Sequence, residues 1–104
     1  MQILESKLES NCRKLAIEAG CKFLKIQGTK GWPDRLVVAP NGRVAFVEFK
    51  SATGRVAPLQ EHIIQELIWM KHMAVVVRLE WEFKVILRDL QLPSGSLTTT
   101  KYGG

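Results

Sequence analysis

The segment Arg43–Lys50, RVAFVEFK, constrains the fold more than any other part of the chain. Strand alternation sends Val44 and Phe46 to one side and Ala45, Val47 and Phe49 to the other, so both sides are apolar. A strand of that kind belongs in the middle of a sheet with cover on both faces. It nonetheless carries Glu48 and then Lys50, which alternation puts on one side. A central strand does not tolerate unpaired charge, so a neighbouring element has to supply partners.

The remaining sequence supplies the neighbours. Leu4, Leu8, Cys12, Leu15 and Ala19 recur at steps of three and four, the signature of one helix face, and Gly20 closes it. Lys22–Ile26 reads as a short strand, and Gly28–Pro33 as a loop in which Trp32 is held extended by the proline after it. Arg35–Ala39 reads as a strand joined to Arg43–Lys50 through Pro40-Asn41-Gly42. After a loop over Ser51–Ala57, Pro58 opens a helix that the spacing extends to about Met73, with Ile63, Ile64, Leu67, Ile68 and Met70 as its buried face. Ala74–Leu79 is a fourth strand and Glu80–Leu90 a closing helix. The order α-β-β-β-α-β-α describes an α/β fold, a mixed central sheet flanked by helices. Residues 1–92 form one domain, and the polar, glycine-rich stretch 93–104 reads as a flexible tail.

Composition narrows the class of function. The formal net charge of +5 and a pI near 9.5 suit a polyanionic partner, although the cations are scattered and form no dense tail. No apolar run approaches the roughly 20 residues that cross a bilayer, and MQILESKLES has charges where a signal peptide needs its apolar stretch. The expected setting is cytoplasmic, in a bacterial or phage-infected host cell, with no membrane partner. Cys12 and Cys21 form no Cys-x-x-Cys pair, and His62 and His72 lack zinc-site spacing. They read as incidental thiols and surface imidazoles, so cysteine catalysis has no support.

The hairpin turn decides whether Glu48 meets a second carboxylate. If Asn41-Gly42 formed a two-residue turn, Asp34 would lie opposite Phe49, on the wrong face from Glu48. With Pro40-Asn41-Gly42 as a type I turn followed by a left-handed Gly42, Ala39 pairs with Arg43 and Asp34 falls opposite Glu48. Proline suits the first central position and glycine the left-handed one, which favours the second register. Opposed carboxylates, with Cβ atoms about 4.5–5.5 Å apart, repel unless a cation lies between them. Mg²⁺, which takes oxygen ligands, is the natural candidate.

These residues resemble a known motif. Pro33-Asp34, a hairpin, and Glu48-Phe49-Lys50 are similar to the PD-(D/E)xK nuclease motif. More narrowly, Gly31-Trp32-Pro33-Asp34-Arg35, Phe46-Val47-Glu48-Phe49-Lys50, Leu59-Gln60 and the opening Glu5-Ser6-Lys7-Leu8-Glu9 resemble the VRR-NUC (virus-type replication-repair nuclease) domain, in its stand-alone phage and bacterial form. The similarity extends over residues 4 to 88; Trp32 departs from the smaller residue often found there, a change expected to reshape the site entrance.

The resemblance implies a restriction-endonuclease-like αβββαβ core and an Mg²⁺-dependent DNA endonuclease, with Mn²⁺ as substitute. It implies that Asp34, Glu48 and the backbone carbonyl of Phe49 hold the metal and that Lys50 handles the attacking water. Glu5 falls between Cys12 and Ala16 on the helix stripe and is chosen as an outer-sphere carboxylate; Glu9, one turn before Arg13, is expected to pair with it. Gln60 points inward with Ile64 and Leu67, towards the metal-bound water or Lys50. Lys25, Lys30, Arg35 and Arg55 are phosphate-contact candidates. The leading expectation is resolution of branched DNA, the four-way Holliday junction, by a homodimer. A nicking, flap or restriction-like nuclease and a catalytically silent DNA-binding module are the alternatives.

Overall fold

The computed structural model describes residues 4–92; the expected tail at 93–104 lies outside them. In chain order the elements are α1 (Glu5–Glu18), β1 (Lys22–Lys25), β2 (Arg35–Val38), β3 (Val44–Phe49), α2 (Pro58–Trp69), β4 (Met73–Val77) and α3 (Glu80–Leu90). The sheet order is β1-β2-β3-β4, antiparallel across β1–β2 and β2–β3 and parallel across β3–β4. The sheet is therefore mixed, and β3 is an inner strand as its two-sided apolarity requires.

The two faces of β3 feed different cores. Ala45, Val47 and Phe49 pack with Leu8, Cys12 and Ala16 of α1 and with Phe83, Ile86, Leu87 and Leu90 of α3. Phe46 faces the smaller cluster of Ile63, Ile64, Leu67 and Ala74 under α2. On the larger side Phe23, Phe49 and Phe83 form a ring trio with centroids 5.8–6.3 Å apart, a separation at which aromatic pairs add to simple burial.

Two boundaries differ from the sequence expectation. α2 ends at Trp69, short of Met73, because Lys71 turns left-handed at φ 72. His72 N–H then donates to Leu67 O and Lys71 N–H to Ile68 O, both at 2.9 Å, the paired bonds of a Schellman stop. Met70 consequently leaves the buried face and is 65% exposed, while Met73 becomes the first residue of β4, which ends at Val77. At the other end of the chain, burial along α1 starts only at Leu8, so Leu4 stays in solvent despite matching the stripe.

Candidate active site

Turn chemistry sets the register that matters. Gly42 takes φ 89, and its N–H donates to Ala39 O at 3.0 Å across Pro40 and Asn41. Ala39 N–H donates to Arg43 O at 2.8 Å, and Asn41 Oδ1 accepts from Arg43 N–H at 3.0 Å. Glycine reaches that φ without the Cβ clash other residues meet. The loop thus has three residues, and the ladder runs Val38–Val44, Val37–Ala45, Leu36–Phe46 and Arg35–Val47. One step further brings Asp34 opposite Glu48, as the sequence reading required.

Asp34 is fixed through its backbone. Its carbonyl accepts from Ile26 N–H at 2.8 Å, and its own N–H donates to Glu48 Oε1 at 3.1 Å. Lys50 Nζ lies 3.4 Å from Glu48 Oε2. Glu48 is only 2% exposed, and its pKa is pushed above the usual carboxylate range. Burial is the main cause and the Asp34 charge adds to it, while Lys50 and the Asp34 N–H pull the other way. A hard divalent cation between the two carboxylates would offset the charge that burial makes costly. The donor set fits such an ion: two carboxylates and, one residue on, the Phe49 carbonyl, with water for the remaining positions. Among the described residues no group of three or more His, Cys, Asp or Glu side chains could hold a metal, so any cation there depends on backbone oxygen and water as well.

The other sequence candidates occupy different places. Glu5 is in the exposed first turn of α1, in line with the stripe but one turn before the core begins at Leu8. Glu9 pairs with Arg35 rather than Arg13, with Oε1 2.7 Å from the guanidinium, and Arg35 also lies 5.4 Å over the Phe23 ring. Sequence spacing on one helix had no means of showing a partner on another strand. Arg35 is therefore engaged as a brace between α1 and β2, whereas Lys25, Lys30 and Arg55 are exposed. Gln60 is half-buried, and its Oε1 accepts from Ala57 N–H at 3.3 Å, capping the start of its own helix.

The loop before Asp34 is tied to that helix start. Gly31 has φ 83, and a Cβ built there would lie 2.5 Å from Leu59 Cγ, so the loop can approach α2 only with glycine at this position. A cavity of about 290 Å³ lies between them, lined by Lys30, Gly31, Ala57, Leu59 and Gln60. Trp32 is half-buried, and its ring meets Phe46 edge-on at 5.8 Å, within the cluster beneath α2.

Arg78 braces the loop after Lys50, a contact that the sequence reading passed over. Its guanidinium donates to Ser51 O and Gly54 O, each at 2.7 Å, and so pins the loop that follows Lys50. Lys50 N–H itself donates to Val77 O at 3.1 Å. The available signal was a cation ending the otherwise apolar run Met73–Val77. Burial, then the charges of Glu80 and Glu9, push the Cys12 thiol up to about 12, which keeps it protonated and unreactive.

Three comparisons bear on this arrangement. No family model matches the sequence. A protein of Acyrthosiphon pisum secondary endosymbiont phage 1, named "Putative nuclease p44", is 36% identical over 74 residues, 71% of this chain and 77% of that protein. A solved structure titled "VRR_NUC domain" superposes with a TM-score of 0.71 at 22% identity, covering 81% of this chain and 94% of that one.

Proposed function

The chain belongs to the VRR-NUC nuclease family, and from that premise we propose that it is an Mg²⁺- or Mn²⁺-dependent endonuclease of branched DNA, acting as a homodimer. The observation that carries this reading is the buried Glu48 carboxylate, held by Asp34 N–H at 3.1 Å and by Lys50 at 3.4 Å beside a second carboxylate. Asp34, Glu48 and the Phe49 carbonyl would hold the divalent cation, which when bound would supply Lewis-acid polarisation of the phosphoryl group and a more acidic water. Glu48 and Asp34 orient that cation from two strands whose register the Gly42 turn locks. Lys50 orients the attacking water and offsets charge that accumulates on the phosphate oxygens. Exposed Lys25, Lys30 and Arg55 hold the flanking backbone without reading sequence.

Substrate shape follows from symmetry. One small chain carries one site, whereas paired cuts in two strands of a four-way junction need two, which a two-fold dimer provides. The test compares labelled four-way junction, flap, duplex and single strand, each with Mg²⁺, Mn²⁺ or EDTA. The expected result is metal-dependent cleavage with preference for the junction. Equal cutting of all four substrates removes the junction claim and leaves the nuclease. Asp34→Ala is expected to lower cleavage by roughly 10²–10³-fold, the scale of losing a transition-state electrostatic contact, with DNA binding retained. Cleavage by Asp34→Ala at the parent rate overturns the site.

A further inference from the structure

We infer that the cavity between the Gly28–Pro33 loop and the first turn of α2 is a subsite for one unstacked nucleotide of the substrate strand, with the base in the cavity and its phosphate at the rim. The occupant is DNA only on the nuclease reading above. The cavity adds to that reading a place for the strand beside the cut and a reason why some DNA shapes reach it better than others.

Topology brings the cavity to the end of the sheet that carries the carboxylates. α2 joins the parallel neighbours β3 and β4, so it runs back across the sheet and begins where β3 ends. Phe46 packs in the cluster under α2, and alternation puts Glu48 and Lys50 on that same face. The Gly28–Pro33 loop leads directly into Asp34. A Cβ built on Gly31 would lie 3.0 Å from Ile63 Cδ1 as well as 2.5 Å from Leu59 Cγ, so the loop is seated on the same cluster. The cavity therefore belongs to the face and the end of the sheet that hold Glu48 and Lys50.

Its lining selects by chemistry. Gly31, Ala57 and Leu59 give apolar walls, and Leu59 is 43% exposed although it is large and apolar. Lys30 and Gln60 supply the polar atoms, and no carboxylate lines the cavity among the described residues. Lys30 is exposed and pairs with no acidic group among those residues. Gln60 spends Oε1 on Ala57 N–H at 3.3 Å, which leaves its Nε2 hydrogens as donors without a described partner. An apolar slot with one cation and one amide donor complements a nucleotide, which offers a flat π face, acceptor atoms on the base edge and an anionic phosphate. The volume of about 290 Å³ is at the lower end of the roughly 300–1,000 Å³ range of small-molecule sites. That is the scale of one nucleoside rather than of a folded partner segment.

Such a subsite favours some DNA shapes over others. A base inside a duplex is stacked and paired, and drawing it out costs free energy, least where the base is already unpaired. Nucleotides at a branch point, a flap or a strand end therefore reach the cavity more readily than those within continuous duplex. The cavity discriminates by shape and not by sequence, since every base has a π face to lay against Leu59 and Ala57.

Binding of the full chain to four-way junctions and flaps, followed by fluorescence anisotropy in EDTA, tests the subsite. A single abasic site is moved one nucleotide at a time along the strand around the branch point. One position is expected to lower affinity by about tenfold, within the range for one stacked base. Ala57→Phe fills the cavity from an exposed position whose extended backbone, φ -65 and ψ 150, suits any residue before proline. It is expected to lower affinity for the intact junction by a similar factor and to make that abasic position neutral, the non-additivity of two changes at one contact. Leu59→Ala, which removes a wall without adding bulk, is expected to shrink the abasic effect as well. A scan with no sensitive position, or with one equally sensitive in the parent and both variants, overturns the subsite. So does an Ala57→Phe protein with a lowered unfolding midpoint and unchanged DNA affinity, which would give the cavity to another part of this chain. Junction cleavage with Mg²⁺ and no abasic signature sinks the subsite alone. The signature without cleavage in Mg²⁺ or Mn²⁺ sinks the nuclease reading and keeps the nucleotide site.

Discussion

The two faces of the sheet differ in what they can be asked to do. The α1–α3 face has the larger apolar core, with Val37, Val47, Phe49, Phe83 and Cys12 fully buried. The α2 face has a smaller core, centred on Ile63, Ile64, Leu67 and Ala74, and gives up one end of it to Glu48 and Lys50. A single strand serves both, because β3 alternates Ala45, Val47 and Phe49 with Phe46, Glu48 and Lys50. The lesson is a division of labour. One face holds the strand rigidly enough that the other can carry a buried, poorly compensated carboxylate, whose cost would otherwise favour a different register.

Substitutions on opposite faces should therefore separate stability from activity. The largest effect is expected from Phe83→Ala, which removes a fully buried ring and its contacts with Phe23 and Phe49. Such a deletion costs about 3–5 kcal/mol, and denaturant midpoints should show it well beyond the loss from Ile64→Ala under α2. Equal losses at the two positions would erase the distinction between the faces. Next, Arg78→Met keeps most of the side-chain volume but frees the Ser51–Gly54 loop. A fall in kcat of roughly tenfold, the low end for a group that orients ligands from behind, is expected with folding little changed. An unaltered kcat would confine Arg78 to structure.

The smallest effect concerns pH. Glu48 titrates above its ordinary range, so its protonated form favours the folded state. That contribution is complete below the usual carboxylate pKa and is lost as pH rises through the raised value. Glu48→Gln, which cannot ionise, should therefore be more stable than the parent above that raised value, and the difference should close in acid. Denaturation curves in EDTA across the acid-to-neutral range check the sign. Added Mg²⁺ should then stabilise the parent and not the variant. A variant less stable at neutral pH would mean that the Lys50 pairing outweighs burial.

Much of this fold was legible residue by residue. Val44–Phe49 announced a covered inner strand, and Pro40-Asn41-Gly42 selected the register that puts Asp34 beside Glu48, because proline and glycine restrict φ locally. α3 matched at both ends. The misplacements are instructive. The end of α2 was read about four residues late because Lys71 adopts a left-handed φ without the glycine that usually signals it. Glu9 and Gln60 were assigned by helix spacing, yet their partners, Arg35 and Ala57 N–H, are set by packing between elements and by a local cap.

By itself the sequence determined which strand is central, which turn closes the hairpin and which acidic residues meet, since these follow from side-chain period and backbone restriction within a few residues. Only the tertiary structure decided that Arg78 pins the loop after Lys50 and that Arg35 is committed to Glu9. Those outcomes depend on which segments arrive side by side, and contacts between residues distant along the chain leave no periodic trace in it.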